Sequence, residues 1–286
     1  MPAHLAKDWR SSTPTRTIGG LFPGGTPALG SVLMSDTITT DLSSIGMGYS
    51  RWQDAVEAAI ASNQLAVTGE VRGGQLIQFS DPSGAQLNIL AVEPFATFAG
   101  FDSTTRTYAH VTMVNDVVGL CDIVDPTGAP IASVTANIAQ GPLLVDESTL
   151  QWQEMGFTAL AVSVQHYDSV DEFLTATAET LGTIVSDGAE QIASGAAAAP
   201  DAAARFSARV LESEYRTNTL TGERFIHISV DGAFPFDVVL PDAETLPERN
   251  SVIAGTGVLA GAAVMATGGG CGGGTCGCGS GGCGGH

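Results

Sequence analysis

Two short turn sequences constrain the fold of this chain more than any other feature. Residues 81–84 have the sequence DPSG and residues 125–128 the sequence DPTG, and each is flanked by runs of β-forming residues. Proline presets the first corner of a tight turn, aspartate hydrogen-bonds back to the backbone, and glycine relaxes the exit. A third turn sequence, LTGE at 220–223, separates two later β-like runs. The pattern predicts a chain built largely from antiparallel hairpins.

Two segments have the spacing of amphipathic helices. Apolar side chains in residues 50–63 recur at helical intervals, which predicts one buried stripe. The second helix is expected to begin at Ser169, with Glu172 completing a capping box and Gly182 ending the helix. The side chains predicted on the buried faces are Trp52, Val56 and Ile60 in the first helix, and Phe173, Leu174 and Leu181 in the second.

The remaining sequence favours strands. The predicted fold class is therefore α+β, mostly antiparallel β with two principal helices and a small OB-like β-barrel at the C-terminal end. Residues 43–49 favour a short strand, and residues 94–105 favour a loop plugged by Phe95, Phe98 and Phe101. The predicted segments in chain order are a disordered extension at 1–33, an α+β domain at 34–187, an Ala-rich linker at 188–205, an OB-like β domain at 206–266 and a Gly/Cys-rich tail at 267–286.

The charge balance restricts the partners of this protein. Its 11 Lys and Arg residues face 30 Asp and Glu residues, a formal net charge of −19. Such an acidic field repels phosphate groups, which argues against nucleic-acid and anionic-membrane partners. Residues 1–33 lack the apolar core of a secretory signal, and Met34 is an alternative start. The apolar run 252–266 is a weak candidate for a membrane span because it is shorter than the roughly 20 residues required.

Residues 43–93 carry a resemblance to a known family. The predicted order is a strand, the helix RWQDAVEAAIASN and three strands, with the run FSDPSGAQLNIL at the last hairpin. This order resembles one module of the vicinal oxygen chelate superfamily, which includes glyoxalase and bleomycin-resistance proteins. The resemblance implies a metal-binding His on the first strand and a Glu just after the turn. Ile45 and Met47 occupy the first strand and Asn88 the last, so the resemblance implies a fold and argues against the family's chemistry.

Three histidines in β-like runs are candidate metal ligands. They are His110, His166 and His227. A histidine isolated in a strand is usually a structural or surface residue, and we expect that role for all three.

The C-terminal tail carries the strongest chemical signal in the sequence. Cys271, Cys276, Cys278, Cys283 and His286 follow the spacing C-x4-C-x-C-x4-C-x2-H, separated mainly by glycine. Thiolate and imidazole are the ligands that zinc and copper(I) prefer. The spacing lacks the paired C-x2-C of zinc fingers, so a low-complexity tail without metal is the alternative. In an oxidising compartment the four tail cysteines would instead pair as disulfides.

The leading functional hypothesis is a non-catalytic binding or scaffold protein, open to a protein partner, with a tail that is either dispensable or binds zinc or copper(I). The alternative is a metal-dependent enzyme of the vicinal oxygen chelate type with relocated ligands. The overall pattern resembles actinobacterial cytosolic proteins, which implies a cytoplasmic location and no particular activity.

Overall fold

The computed structural model describes residues 41–196 and 199–264. The helices are short, and strands dominate. The helices are α1 (Asp41–Ser44), α2 (Trp52–Ala61), α3 (Gly141–Leu144), α4 (Val170–Thr177) and α5 (Asp187–Ser194). The strands are β1 (Leu65–Val71), β2 (Gly74–Ser80), β3 (Ala85–Leu90), β4 (Ala96–Phe101), β5 (Thr107–Met113), β6 (Val118–Val124), β7 (Pro130–Ile138), β8 (Leu150–Tyr167), β9 (Thr183–Ser186), β10 (Ala203–Thr217), β11 (Arg224–Asp231), β12 (Pro235–Pro241) and β13 (Val252–Ala263).

The strands form two sheets, one of four strands and one of nine. The four-stranded sheet has the order β1-β2-β3-β4, and all its pairs are antiparallel. The nine-stranded sheet has the order β11-β12-β8-β5-β6-β7-β13-β10-β9, with parallel pairing of β12 with β8 and of β13 with β7. The predicted α+β, mostly antiparallel class is confirmed at this level.

Two additional pairings, β11 with β10 and β8 with β13, turn the nine-stranded sheet back on itself. Hydrogen-bonded neighbours therefore run in a ring through β8, β13, β10, β11 and β12. Four of these strands come from the segment predicted to be OB-like, and the fifth, β8, comes from the segment before the predicted linker. That linker, 188–205, includes most of α5 and the first residues of β10.

The three turn predictions are confirmed. Residues 81–84 join the antiparallel strands β2 and β3, and residues 125–128 join β6 and β7. Residues 220–223 lie in the connection between the antiparallel strands β10 and β11. Gly84, Gly128 and Gly222 all have positive φ, the conformation that makes glycine favourable there.

Two local predictions are wrong. Residues 43–49 do not form a strand, because they include the end of α1 and a loop whose carbonyl groups bond elsewhere. The Ile45 carbonyl accepts from Asn218 Nδ2 at 3.0 Å, and the Gly46 carbonyl accepts from Thr221 Oγ1 at 2.6 Å. The predicted loop 94–105 contains strand β4, whose backbone pairs with β3 in continuous register.

The predicted buried faces of the helices are partly wrong. In α2, Ala55 and Ala59 are buried, Trp52 and Val56 are half-buried, and Ile60 is 52% exposed. The small alanines therefore form the buried face of the helix, and the larger side chains lie at the edge of that face. In α4, Phe173 is buried, but Leu174 is exposed and Leu181 is half-buried.

Ser169 caps α4 as predicted, but the Glu172 carboxylate accepts from the Asp168 backbone N–H at 2.7 Å and not from that of Ser169. Ser169 Oγ accepts a hydrogen bond from the Glu172 backbone N–H at 3.1 Å. The end of the helix also differs from the prediction. The helix ends at Ala178, which has the left-handed φ of 56°, and not at Gly182. Since Ala178 N–H still donates to the Leu174 carbonyl at 3.1 Å, the left-handed cap forms without glycine.

The two sheets share a core. Phe79, Leu87 and Phe101 from the four-stranded sheet pack in one cluster with residues of the nine-stranded sheet. Those residues are Leu160, Phe225, Val239 and Ala260. A second, larger cluster fills the interior of the nine-stranded sheet. None of the helices in residues 41–196 and 199–264 has the length and apolar character that a membrane crossing requires.

Candidate functional site

The predicted metal ligands of the tail lie outside the described residues. They are Cys271, Cys276, Cys278, Cys283 and His286. Within residues 41–196 and 199–264, no group of three or more His, Cys, Asp or Glu side chains is arranged to hold a metal ion.

The positions that correspond to ligands in the vicinal oxygen chelate pattern have other roles. Ile45 and Met47 are fully buried in the core between the sheets. Asn88 is buried in β3, and its Oδ1 accepts a hydrogen bond from Gln78 Nε2 at 2.8 Å. An apolar pair and an amide offer little to a divalent cation.

Two of the three histidines have local roles. His110 Nδ1 accepts a hydrogen bond from the Trp152 backbone N–H at 3.1 Å. His166 Nδ1 lies 3.6 Å from Asp168 Oδ1, a carboxylate that is well exposed. Neither imidazole meets a second potential ligand among these contacts, which fits the structural role expected from the sequence.

His227 is different, because it lies buried between two carboxylates. It projects from β11, and its side chain retains 5% of its exposure. Its Nε2 lies 2.9 Å from Oδ2 of Asp237 on β12, which is fully buried. Its Nδ1 lies 3.5 Å from Oε1 of Glu214 on β10. The imidazole therefore links three adjacent strands on the outer face of the ring.

The Asp237 carboxylate also holds the loop that follows β4. Its Oδ2 accepts from the Thr104 backbone N–H at 2.5 Å and from Thr104 Oγ1 at 2.9 Å. Burial acts to raise the pKa of Asp237, but the hydrogen bonds from His227 and Thr104 outweigh it and leave the pKa below its ordinary value. Asp237 is therefore a buried anion that fastens the loop after β4 to strand β12 of the nine-stranded sheet.

Aromatic and cationic groups enclose the exposed side of this pair. The Phe101 ring stacks on the His227 ring with centroids 5.5 Å apart and an interplanar angle of 18°. The Arg216 guanidinium lies 5.7 Å from the Phe101 centroid, and its Nε donates to Glu214 Oε1 at 2.7 Å. Arg216 holds the pKa of Glu214 below its ordinary value. These contacts leave His227 no access to a ligand.

A cleft of about 670 Å³ opens beside this polar cluster. Ser229 joins the two, because it lines the cleft while its Oγ lies 3.1 Å from Thr104 Oγ1. The cleft lies between the start of the β10–β11 hairpin and the segment that precedes β13. Its lining residues are Leu211, Glu212, Ser213, Ser229, Leu246, Pro247, Glu248 and Arg249.

The walls of the cleft are fixed by hydrogen bonds. Ser213 Oγ donates to the Pro247 carbonyl at 2.6 Å, and Ser251 Oγ donates to the Glu248 carbonyl at 2.6 Å. The Tyr215 hydroxyl donates to the carbonyls of Ala243 and Glu244. Segment 242–251 is thus tied to β10, and the cleft is formed before any ligand enters.

Sequence reasoning missed this cluster. The one signal in the sequence is that Asp237 interrupts the apolar run FPFDVVLP. A carboxylate buried in such a strand requires a hydrogen-bond partner. The partners Thr104, Glu214 and His227 are separated from it by up to 133 positions. No periodicity of the sequence relates them.

Comparison with known proteins gives no match. No protein-family model, no curated protein and no solved structure matches this chain.

Proposed function

We propose that this protein is a non-catalytic binding protein whose ligand enters the cleft beside Ser229. The preformed cleft of about 670 Å³ is the observation that carries the proposal. Ligand sites are typically concave, and they combine apolar walls with a few fixed polar groups. Leu211 and Leu246 supply the apolar wall, and Ser213 and Ser229 supply hydroxyls.

The charges of the cleft indicate the chemistry of its ligand. Glu212 and Glu248 line it together with Arg249, within a chain of net charge −19. Two carboxylates and one guanidinium favour a small molecule that carries an amine together with a hydrogen-bond acceptor. Binding, and not turnover, is favoured because the buried His227 cannot reach a group bound in the cleft.

A variant whose cleft is filled by a large side chain tests this proposal. Thermal unfolding is measured with a panel of free amino acids, short peptides and polyamines. A ligand present at 100 times its Kd stabilises the protein by about 2.7 kcal/mol, which is a readily measured shift in Tm. Glu212→Trp should fill the cleft and abolish the shift, whereas Glu190→Trp on the exposed face of α5 should leave it unchanged. Shifts of equal size in both variants would refute the cleft as the binding site.

The metal-binding tail remains part of the proposal. It is supported by the four cysteines and one histidine that the tail sequence provides as ligands. The control is protein truncated after Thr267. Full-length protein should retain zinc or copper(I) and protect four thiols from alkylation, and the truncated protein should lose the metal. Burial raises the pKa of the Cys121 thiol, which makes it an unreactive internal reference. Four freely reactive tail thiols in the presence of metal would end this part of the proposal.

Two further predictions stand as proposals. An OB-like arrangement of the C-terminal strands is supported by the ring of pairings through β8, β13, β10, β11 and β12. A cytoplasmic location is supported by the resemblance of the sequence pattern to actinobacterial cytosolic proteins. The alternative, a metal-dependent enzyme of the vicinal oxygen chelate type, has weaker support because Ile45, Met47 and Asn88 occupy the ligand positions.

A further inference from the structure

An exposed aromatic surface lies on β5 and β8, on strands that do not line the cleft. Trp152 is 47% exposed and Tyr108 is 44% exposed. Tyr108 and His110 alternate along β5, so they share one face of the sheet. We call the set Tyr108, His110, Asp122, Trp152 and Glu154 the aromatic patch.

Trp152 is held in place although half of it is exposed. Its backbone N–H donates to His110 Nδ1 at 3.1 Å, and its ring meets the His110 ring edge to face at 5.6 Å and 86°. A Cβ atom at Gly128 would lie 3.1 Å from the Trp152 ring, so the 125–128 turn packs directly against the indole. Trp152 has a φ of 56°, which is rare for a bulky side chain. An exposed aromatic ring that is already ordered loses little entropy when a partner covers it.

Carboxylates flank the aromatic rings. Asp122 lies opposite His110 in the β5–β6 pair, and Glu154 lies opposite Tyr108 in the β5–β8 pair. Residues directly opposite each other in an antiparallel pair project from the same face. The neighbouring Arg106 donates to the Ser103 and Thr105 carbonyls, and its ion-pair partner is Asp102, whose Oδ1 lies 3.6 Å from Arg106 Nη2.

We propose that the aromatic patch is a docking site for an arginine side chain presented by a basic segment of a partner protein. A guanidinium stacks on an indole face and donates hydrogen bonds to a carboxylate, and the patch carries both kinds of group on one face of the sheet. Oδ1 of Asp122 already accepts a hydrogen bond from Ser133 Oγ, so its Oδ2 and the Glu154 carboxylate are the acceptors for the guanidinium. The chain's net charge of −19 attracts a basic partner and steers it toward the surface. The site shares no residue with the cleft, so it goes beyond the proposed function and stands or fails independently.

Two peptides of equal charge separate stacking from general attraction. The probes are fluorescein-labelled octapeptides of alternating Gly-Arg and alternating Gly-Lys, and their binding is followed by fluorescence anisotropy at roughly physiological salt. The acidic field attracts both peptides alike. Stacking on Trp152 should make the arginine peptide bind roughly two- to fivefold more tightly than the lysine peptide.

Substitutions in the aromatic patch test whether the preference for the arginine peptide arises there. Trp152→Ala should abolish it, and Trp152→Phe, which keeps an aromatic face, should retain part of it. Asp122→Asn should weaken the arginine peptide more than the lysine peptide. Leu174→Ala and Asp171→Asn, two exposed positions on α4, are the matched controls and should change nothing.

The outcomes that overturn the proposal are specific. Equal affinity of the wild-type protein for the two peptides would remove the case for arginine stacking. A preference that survives in Trp152→Ala would place the site elsewhere. If Trp152→Ala proves unfolded by circular dichroism, Trp152→Phe and Asp122→Asn decide, and an unchanged preference in both variants contradicts the proposal.

Discussion

Asp237 is a fully buried carboxylate whose hydrogen bonds all fall on one oxygen. One oxygen receives donors from His227 and Thr104, while the other, Oδ1, has no partner among the described residues. A buried carboxylate in this state depends on each donor it has, since its desolvation is costly. The sequence alone could place Asp237 in a strand, but not beside His227, because the register between β11 and β12 is a property of the folded sheet.

Replacing Asp237 should change both the stability and its pH dependence. Its folded pKa lies below the ordinary value, so its contribution is present above the unfolded pKa and is lost as pH falls through the folded pKa. Asp237→Asn should cost roughly 3–5 kcal/mol at pH 7, because it leaves buried donors mispaired. The loss relative to the wild type should shrink below about pH 4.

Urea unfolding at neutral and acid pH measures this effect. The control is Asp242→Asn, which removes the half-exposed ion pair with Arg224 and should cost less than about 1 kcal/mol. A loss for Asp237→Asn that is the same at every pH would contradict the assignment of Asp237 as a buried anion.

At the scale of the element, the two Asp-Pro turns look alike in sequence but differ in what their aspartates hold. Asp125 Oδ1 accepts from Thr127 and Ala129 within its own turn. Asp81 bonds to Ser83 within its turn, and its other oxygen accepts from Thr219 N–H at 2.9 Å, on the β10–β11 connection. The turns were predictable because their chemistry is local, whereas the link to Thr219 joins positions 138 residues apart.

This difference predicts unequal costs for the same substitution. Asp81→Ala should destabilise by about 2–3 kcal/mol, since it removes charge-assisted hydrogen bonds at a buried position. Asp125→Ala should cost clearly less, because its exposed turn can bond to water. Chemical denaturation of the two variants gives the comparison, and equal losses would show that Asp81 acts only within its turn.

Glycines in β13 have a packing role that the sequence pattern obscured. The run SVIAGTGVLAG suggested either a closing strand or a membrane span, and it forms a strand that pairs closely with β8. A Cβ at Gly255 would overlap the Ser163 carbonyl, and one at Gly257 would lie 2.7 Å from the Leu160 carbonyl. These obstacles are backbone atoms, which cannot move aside as a flexible side chain can.

Gly255→Ala should therefore destabilise the protein by roughly 1–3 kcal/mol. Thr256→Ala, between the two glycines and exposed, should change stability by less than about 0.5 kcal/mol. The measurement is the Tm of each variant, and an unchanged Tm for Gly255→Ala would mean that β8 and β13 are farther apart than described.

At the scale of the whole molecule, the predicted division into consecutive domains depends on contacts between distant residues, which local sequence signals do not report. Helix and hairpin signals lie within about a dozen residues, but the core between the sheets joins Phe79 and Phe101 to Phe225 and Val239. Such contacts leave no periodic signal. The wrong strand at 43–49 has this origin, since its carbonyls bond to Asn218 and Thr221. The wrong loop at 94–105 does not, because β4 pairs with β3 directly before it.

The shared core predicts that the two sheets unfold together. Trp52 reports on α2 and the four-stranded sheet, and Trp152 reports on the nine-stranded sheet. Unfolding followed by fluorescence in Trp52→Phe and in Trp152→Phe, each combined with Trp9→Phe, should give the same midpoint as circular dichroism. Two separated transitions would show that the four-stranded sheet is an independent unit.

The position of β13 has a consequence for biosynthesis. This last described strand pairs with β7, β8 and β10, so three strands made earlier lack a neighbour until residues 252–263 have been synthesised. A nascent chain stalled before that point would present open strand edges, which are prone to intermolecular pairing. Most of the described chain therefore emerges from the ribosome before its fold can close, and we expect chaperones that shield those edges to raise its yield in a cell.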